Sequence, residues 1–172
     1  MNFSVYDISI PAYIRSLEAL LGILEKAKVF ALSKKIDEKV LLQTRLIPDQ
    51  FPLVRQIQIA CDGAKLFIPR LTEIQAPVFE DTEANLDELK IRVQKTLDFV
   101  KTVKPEAFEG CESKTISFPH KPGFYLDAKT FIFQYALPNL YFHITTAYSI
   151  LRTSGVDVGK SDYLGKVEWS ES

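Results

Sequence analysis

An all-α, antiparallel four-helix bundle is the fold class this sequence predicts, and three observations carry the prediction. Apolar residues recur every three or four positions in separate stretches of chain, proline or glycine punctuates the ends of those stretches, and the segment that loses the period, Phe108 to Tyr125, falls before the last helical region. With 172 residues, 47% of them apolar, the chain can bury one substantial core, so a single domain over residues 1–172 is expected.

The first helix is predicted over Ile14 to Phe30, where Ile14, Leu17, Leu21, Leu24 and Ala27 form one apolar stripe. Ser9 or Asp7 would cap its start, Pro11 would occupy its first turn, and Lys34 and Lys35 suit its C-terminal end. Asp37 to Gln50 offers a short helix that Pro48 and Asp49 interrupt. In the second long helix Leu53, Ile57, Ala60, Ala64 and Phe67 face inward, with Pro52 at the entrance. Gly63 weakens that helix by about 1 kcal/mol relative to alanine unless a close helix contact offsets the loss. The clearest period runs through Leu86, Leu89, Val93, Leu97 and Val100, behind a cap in Thr82 to Asn85 and ahead of Pro105.

Phe108 to Tyr125 alternates in part and contains Pro119, Pro122 and Gly123, which predicts a connector with one or two short strands and a hairpin turn near His120 to Gly123. Asp127 can cap the next helical run, Pro138 marks a new first turn or a kink, and Gly155 is the natural stop of the last helix. The segment after it lacks a period and reads as a tail anchored by Tyr163 and Leu164, with Arg152 reaching Asp157 or Asp162.

The 21 Lys and Arg nearly cancel the 22 Asp and Glu, so no broad positive field exists for a phosphate backbone and nucleic acid is not an expected partner. No apolar run reaches the length of roughly 18 residues needed to span a bilayer, so no membrane partner is expected. The opening stretch carries Asp7 and Arg15 and reads as folded protein rather than a signal peptide, and the isolated Cys61 and Cys111 suggest no disulfide scaffold. The expected location is the cytoplasm. No glycine-rich phosphate loop, EF-hand, zinc finger or nucleophile elbow is present.

The most informative stretch is PNLYFHITTAYSIL at Pro138 to Leu151, which sets one of only two histidines among aromatic and aliphatic side chains. On a helix His143 shares a face with Asn139, Thr146 and Ala147. An imidazole there can bind a metal, move a proton, or sit as a hydrogen-bonded core group. Gln58 and Asp62, four apart on the second long helix, are pocket candidates or an exposed polar flank; Asp62 is the best candidate partner for His143. Asn139 either caps its helix or touches a ligand, and Tyr148 and Tyr141 either line an aromatic cavity or pack between helices. The two cysteines lack a convincing catalytic base and read as packing thiols.

FPLVRQIQIACDGAK at Phe51 to Lys65, paired with LPNLYFHITTAYSILRTSGVDVGKSDYLG at Leu137 to Gly165, resembles an uncharacterised bacterial branch of the DinB-like (DinB/YfiT-like) superfamily. The resemblance implies a DinB-like antiparallel four-helix bundle, often dimeric, in which three histidines on two helices can hold a divalent metal. It also implies relatives that are thiol-dependent transferases using bacillithiol or mycothiol, with glutathione and maleylpyruvate chemistry represented. Their last helix commonly places two histidines four residues apart. His143 can take one of those places, but Ala147 stands at the other and the second long helix has no histidine.

Catalytic zinc usually takes three protein donors and leaves one position open. His143 with Asp62 and Gln58 falls short of that set, and His120 on the connector is the residue that could complete it. No cofactor is therefore expected, with a divalent metal kept as an alternative. The leading functional expectation is a small-molecule-binding bundle whose interhelical pocket uses His143, Asp62, Gln58, Asn139 and Tyr148, with catalysis undecided. A metal-dependent thiol transferase and a noncatalytic homodimer are the alternatives.

Overall fold

The computed structural model describes residues 3–167 and Trp169. Four long helices enclose the core: α1 (Val5–Lys34), α3 (Leu53–Leu71), α4 (Leu86–Thr102) and α6 (Leu137–Thr153). Short helices α2 (Glu38–Gln43), α5 (Ala128–Thr130) and α7 (Lys160–Leu164) lie between and after them. Neighbours around the bundle are α1 and α4, α4 and α3, α3 and α6, and α6 and α1.

Local chemistry sets the ends. Ser4, rather than Ser9 or Asp7, caps α1, because Ser4 and Asp7 each bond the other's backbone amide in a capping box. The helix therefore begins before Pro11, which lies inside it rather than in its first turn, and Ser9 bonds back to the Val5 carbonyl at 2.6 Å. Asp37 caps α2, Asn85 caps α4 and Asp127 caps α5, each through a side-chain oxygen that accepts from a first-turn amide. Gly155 ends α6 at φ +97°, and Phe30 lies 3.4 Å from where a Cβ would be.

The bundle is antiparallel in its most extensive packing. Lys28 of α1 meets Asp87 at the start of α4, while Glu18 meets Lys101 near the end of α4. Gln56 of α3 meets His143 of α6, and Phe67 meets Phe131 just ahead of it. In contrast, α3 and α4 run parallel, because the connection from Thr72 to Asn85 returns along α3 before α4 begins. Arg55 binds Asp81 and Gln58 binds Glu83 on the way back.

Residues Thr115–Ser117 and Tyr125–Asp127 form an antiparallel hairpin, β1 and β2, with Ile116 opposite Leu126. Short 3₁₀ turns at Pro105–Phe108 and Cys111–Ser113 lead into it. After α5 the chain winds through a π-turn at Phe131–Ala136, where the Leu137 amide bonds to the Ile132 carbonyl five residues back. Pro138 accounts for this winding: its ring collides with the carbonyl four residues back in a regular α-turn, and the wider turn separates them.

Tyr13, Phe67 and Phe131 form the aromatic centre, with ring centroids 5.0 Å and 5.8 Å apart in succession. In the tail, Val156 and Val158 are the buried anchors, whereas Tyr163 is half-buried and Leu164 stays 36% exposed. Arg152 approaches Asp157 at 3.6 Å, and Asp162 instead pairs with Lys26 of α1 at 2.8 Å. No helix among the described residues is long and apolar enough to cross a membrane.

Candidate functional site at the seam of α3 and α6

His143 lies on the α3-facing side of α6 and is only 8% exposed. Its Nδ1 is 2.7 Å from Gln56 Oε1, and the Gln56 amide nitrogen donates in turn to the Phe51 carbonyl at 3.0 Å. That second bond fixes the glutamine's orientation, since the carbonyl needs a donor, and Oε1 is left to face the imidazole. The His143 Nδ1 must then carry the proton, and in the neutral ring the lone pair belongs to Nε2.

His143 Nε2 makes no hydrogen bond among the described residues. Burial, and then the positive charge of Arg55, hold the imidazole below its ordinary pKa of 6.5, so it is neutral at pH 7. The Phe142 ring stands edge-on to the imidazole at 5.2 Å, and Phe142 and Phe51 are each 55% exposed.

Asp62 and Gln58 do not join His143. Position 58 is about 200° around the helix from position 56, and position 62 about 240°, so both face α4 and the returning strap. Asp62 accepts from Arg92 at 2.9 Å and pairs with Lys65 at 3.1 Å. Gln58 accepts from Arg55 at 3.2 Å and donates to Glu83 at 2.8 Å. Arg92, 2% exposed, also pairs with Asp81 and Glu83 at 2.9 Å each and donates to the Glu80 carbonyl at 3.1 Å. Burial opposes its charge, but the Glu83 hydrogen bond and the Asp62 and Glu83 carboxylates raise its pKa overall. These groups clamp the strap; they were missed as a set because their members lie up to 37 positions apart.

Asn139 does reach the seam, since its Nδ2 lies 3.6 Å from the position a Gly63 Cβ would take. The glycine permits this close approach of α6 to α3. Tyr148 points elsewhere, packing edge-on against Tyr163 of α7 at 6.0 Å. His120 is in the hairpin turn, 5.5 Å from Phe118. Burial pushes the Cys61 thiol up to about 12 and raises Cys111 as well, which leaves both poor nucleophiles. Five cavities of 190 to 580 Å³ on the described surface are lined by other residues than His143, Asn139, Gln58, Asp62 and Tyr148.

The donors at His143 do not fit a metal of the kind the resemblance implies. Gln56 occupies Nδ1, Ala147 supplies no donor, and Asp62 is committed to two cations on the other side of α3. Among the described residues no group of three or more His, Cys, Asp and Glu is placed to hold a metal ion. The residue that sequence reasoning overlooked is Gln56. It is three after Leu53 and four before Ala60, so the apolar stripe itself marked it as buried.

The arrangement defines a helical bundle with an oriented, neutral histidine at an interhelical seam. A family model described as a domain of unknown function (DUF1993) matches residues 5–164, and the chain belongs to that family. The crystal structure of a DinB family member protein from Shewanella denitrificans is 44% identical, covering 98% of this chain and 96% of that one at a TM-score of 0.93. The likeness to a DinB-like protein thus extends along nearly the entire fold. No curated protein matches the chain.

Proposed function

We propose that this protein binds a small organic molecule at the α3–α6 seam, with His143 Nε2 accepting a hydrogen bond from the ligand. The observation that supports this is the Gln56–His143 bond, which engages Nδ1 of a neutral imidazole and leaves the Nε2 lone pair without a partner among the described residues. Phe142 and Phe51 would cover the apolar part of the ligand, and Asn139 would contribute a second polar contact. In this reading Gln58 and Asp62 act indirectly, by holding the strap against α3 and α4. The protein would work in a bacterial cytoplasm without nucleic-acid or membrane partners, consistent with its formal net charge of -1.

Ligand-observed NMR with a panel of small alcohols, phenols and carboxylic acids tests the reading, using the wild type and His143→Ala side by side. Compounds that bind the wild type and are lost from the variant, while both proteins keep similar melting temperatures, are the expected result. Binding that survives His143→Ala, or no binding from the panel, would refute it.

A noncatalytic homodimer is the second reading, favoured by the exposed aromatic surface of Phe51 and Phe142. Analytical ultracentrifugation separates the two: a dimer dispersed by Phe142→Ser, with no ligand found, supports the homodimer. The metal-dependent thiol transferase receives no support from the donor set.

A further inference from the structure

A second candidate site lies ahead of α6, where the hairpin meets the π-turn. The hairpin turn and the π-turn enclose a cavity of about 190 Å³ lined by Phe118, His120, Lys121, Phe124, Tyr125, Leu126 and Tyr135. Phe118 is buried and packs at 4.9 Å from Tyr135 and 6.2 Å from Phe131, so one wall is anchored in the core. The opposite rim is open, with Phe124 and Tyr125 at least 70% exposed on the hairpin. Rings on several sides make a slot suited to a flat apolar group.

The charge around the cavity is of one sign. No carboxylate lines it, and two nitrogenous side chains, His120 and Lys121, do. The Arg70 guanidinium lies 5.2 Å from the Phe118 ring centre and 5.9 Å from that of Phe131, directly against the anchored wall. Its only side-chain hydrogen bond among the described residues is to the Leu66 carbonyl of its own helix, at 3.0 Å. Neither Arg70, His120 nor Lys121 has a carboxylate within 4.0 Å among the described residues, whereas Lys114 on the same connector pairs with Glu73. Arg70 does not line the cavity, but its guanidinium adds positive charge behind the Phe118 wall.

The geometry points to this cavity as a binding site for an aromatic carboxylate, its ring between Phe118, Tyr125 and Tyr135 and its carboxylate toward Lys121 and His120. Position 70 is fourteen residues along α3 from Gln56, about 21 Å at the helical rise, so the site is separate from the seam at His143. Nothing in it depends on the binding proposed there.

The test is titration calorimetry of the full chain with 2-naphthoate and, as its uncharged counterpart, 2-naphthamide. Four proteins are compared: the wild type, Lys121→Glu, Tyr135→Ala and His143→Ala. Lys121 is an exposed turn residue, so Lys121→Glu keeps the fold intact and isolates the charge effect. Expected are binding of the acid at least tenfold tighter than the amide, a tenfold or greater loss in Lys121→Glu and Tyr135→Ala, and no change in His143→Ala. No binding of the acid, equal binding of acid and amide, or unchanged affinity in Lys121→Glu would each overturn the assignment. Loss in His143→Ala alone would place the ligand at the seam and overturn it as well.

Discussion

Gln56 Oε1 lies 2.7 Å from His143 Nδ1 across the seam of α3 and α6, and both side chains are almost fully withdrawn from solvent. This polar pair sits between two helices whose buried residues are otherwise mainly apolar, among them Ala60 and Ala64 of α3 and Leu140 and Ile144 of α6. It therefore sets register as well as chemistry, because leaving either partner alone in that seam costs about 1–3 kcal/mol.

The pair makes stability depend on pH in one direction. The folded pKa of His143 lies below its ordinary 6.5, so the unfolded chain takes up a proton first as pH falls. The stability contributed by the neutral ring is complete above 6.5 and is lost as pH drops through the folded value. Urea unfolding between pH 7.5 and 5 in a His120→Gln background should show this decline, and His143→Gln should flatten it. A slope of the opposite sign would mean that the folded protein prefers the imidazolium.

Arg92→Met should release the strap. Asp62, Asp81 and Glu83 would lose their shared cation, at a cost of about 2–3 kcal/mol because Asp62 and Asp81 retain solvent contact. Hydrogen exchange should accelerate in the strap before it does in α1. Uniform acceleration across the bundle would show that Arg92 supports the whole fold rather than the strap.

Tyr13 tests the core. Its hydroxyl is fully enclosed and unpaired, and burial pushes its pKa far up. Tyr13→Phe removes an unsatisfied group without changing the ring, so it should be neutral or stabilise by about 1 kcal/mol in thermal unfolding. A loss of more than about 1 kcal/mol would reveal an internal hydrogen bond, for instance to an enclosed water.

Two glycines should respond with opposite signs. Gly155→Ala places a Cβ at φ +97° and 3.4 Å from the Phe30 ring, and should cost about 1–2 kcal/mol. Gly22→Ala, inside α1 with nothing within 4 Å, should add about 0.5–1 kcal/mol. Melting temperatures that move the same way would contradict this.

The bundle was legible because its long helices repeat their apolar stripe without interruption; Leu86 to Val100 of α4 is the clearest case. The hairpin was legible from Pro122 and Gly123, and the burial of His143 from its aromatic neighbours. The parallel course of α3 and α4 was not, since it depends on Arg92 gathering carboxylates from two other segments, a long-range pairing that leaves no periodic trace. Half of the seam could be read: Asn139 and His143 share one face of α6. Its α3 partner was mistaken for Asp62 because a carboxylate is the commoner companion of histidine, whereas helical rotation gives that place to Gln56.

The proton on His143 decides whether the seam can accept a ligand. A long-range ¹H–¹⁵N spectrum of uniformly labelled protein at pH 7, with His120→Gln for assignment, reads it directly. A neutral ring protonated at Nδ1 with an unprotonated Nε2 is expected. A ring protonated at Nε2, or at both nitrogens, would remove the Nε2 lone pair and contradict the proposed site.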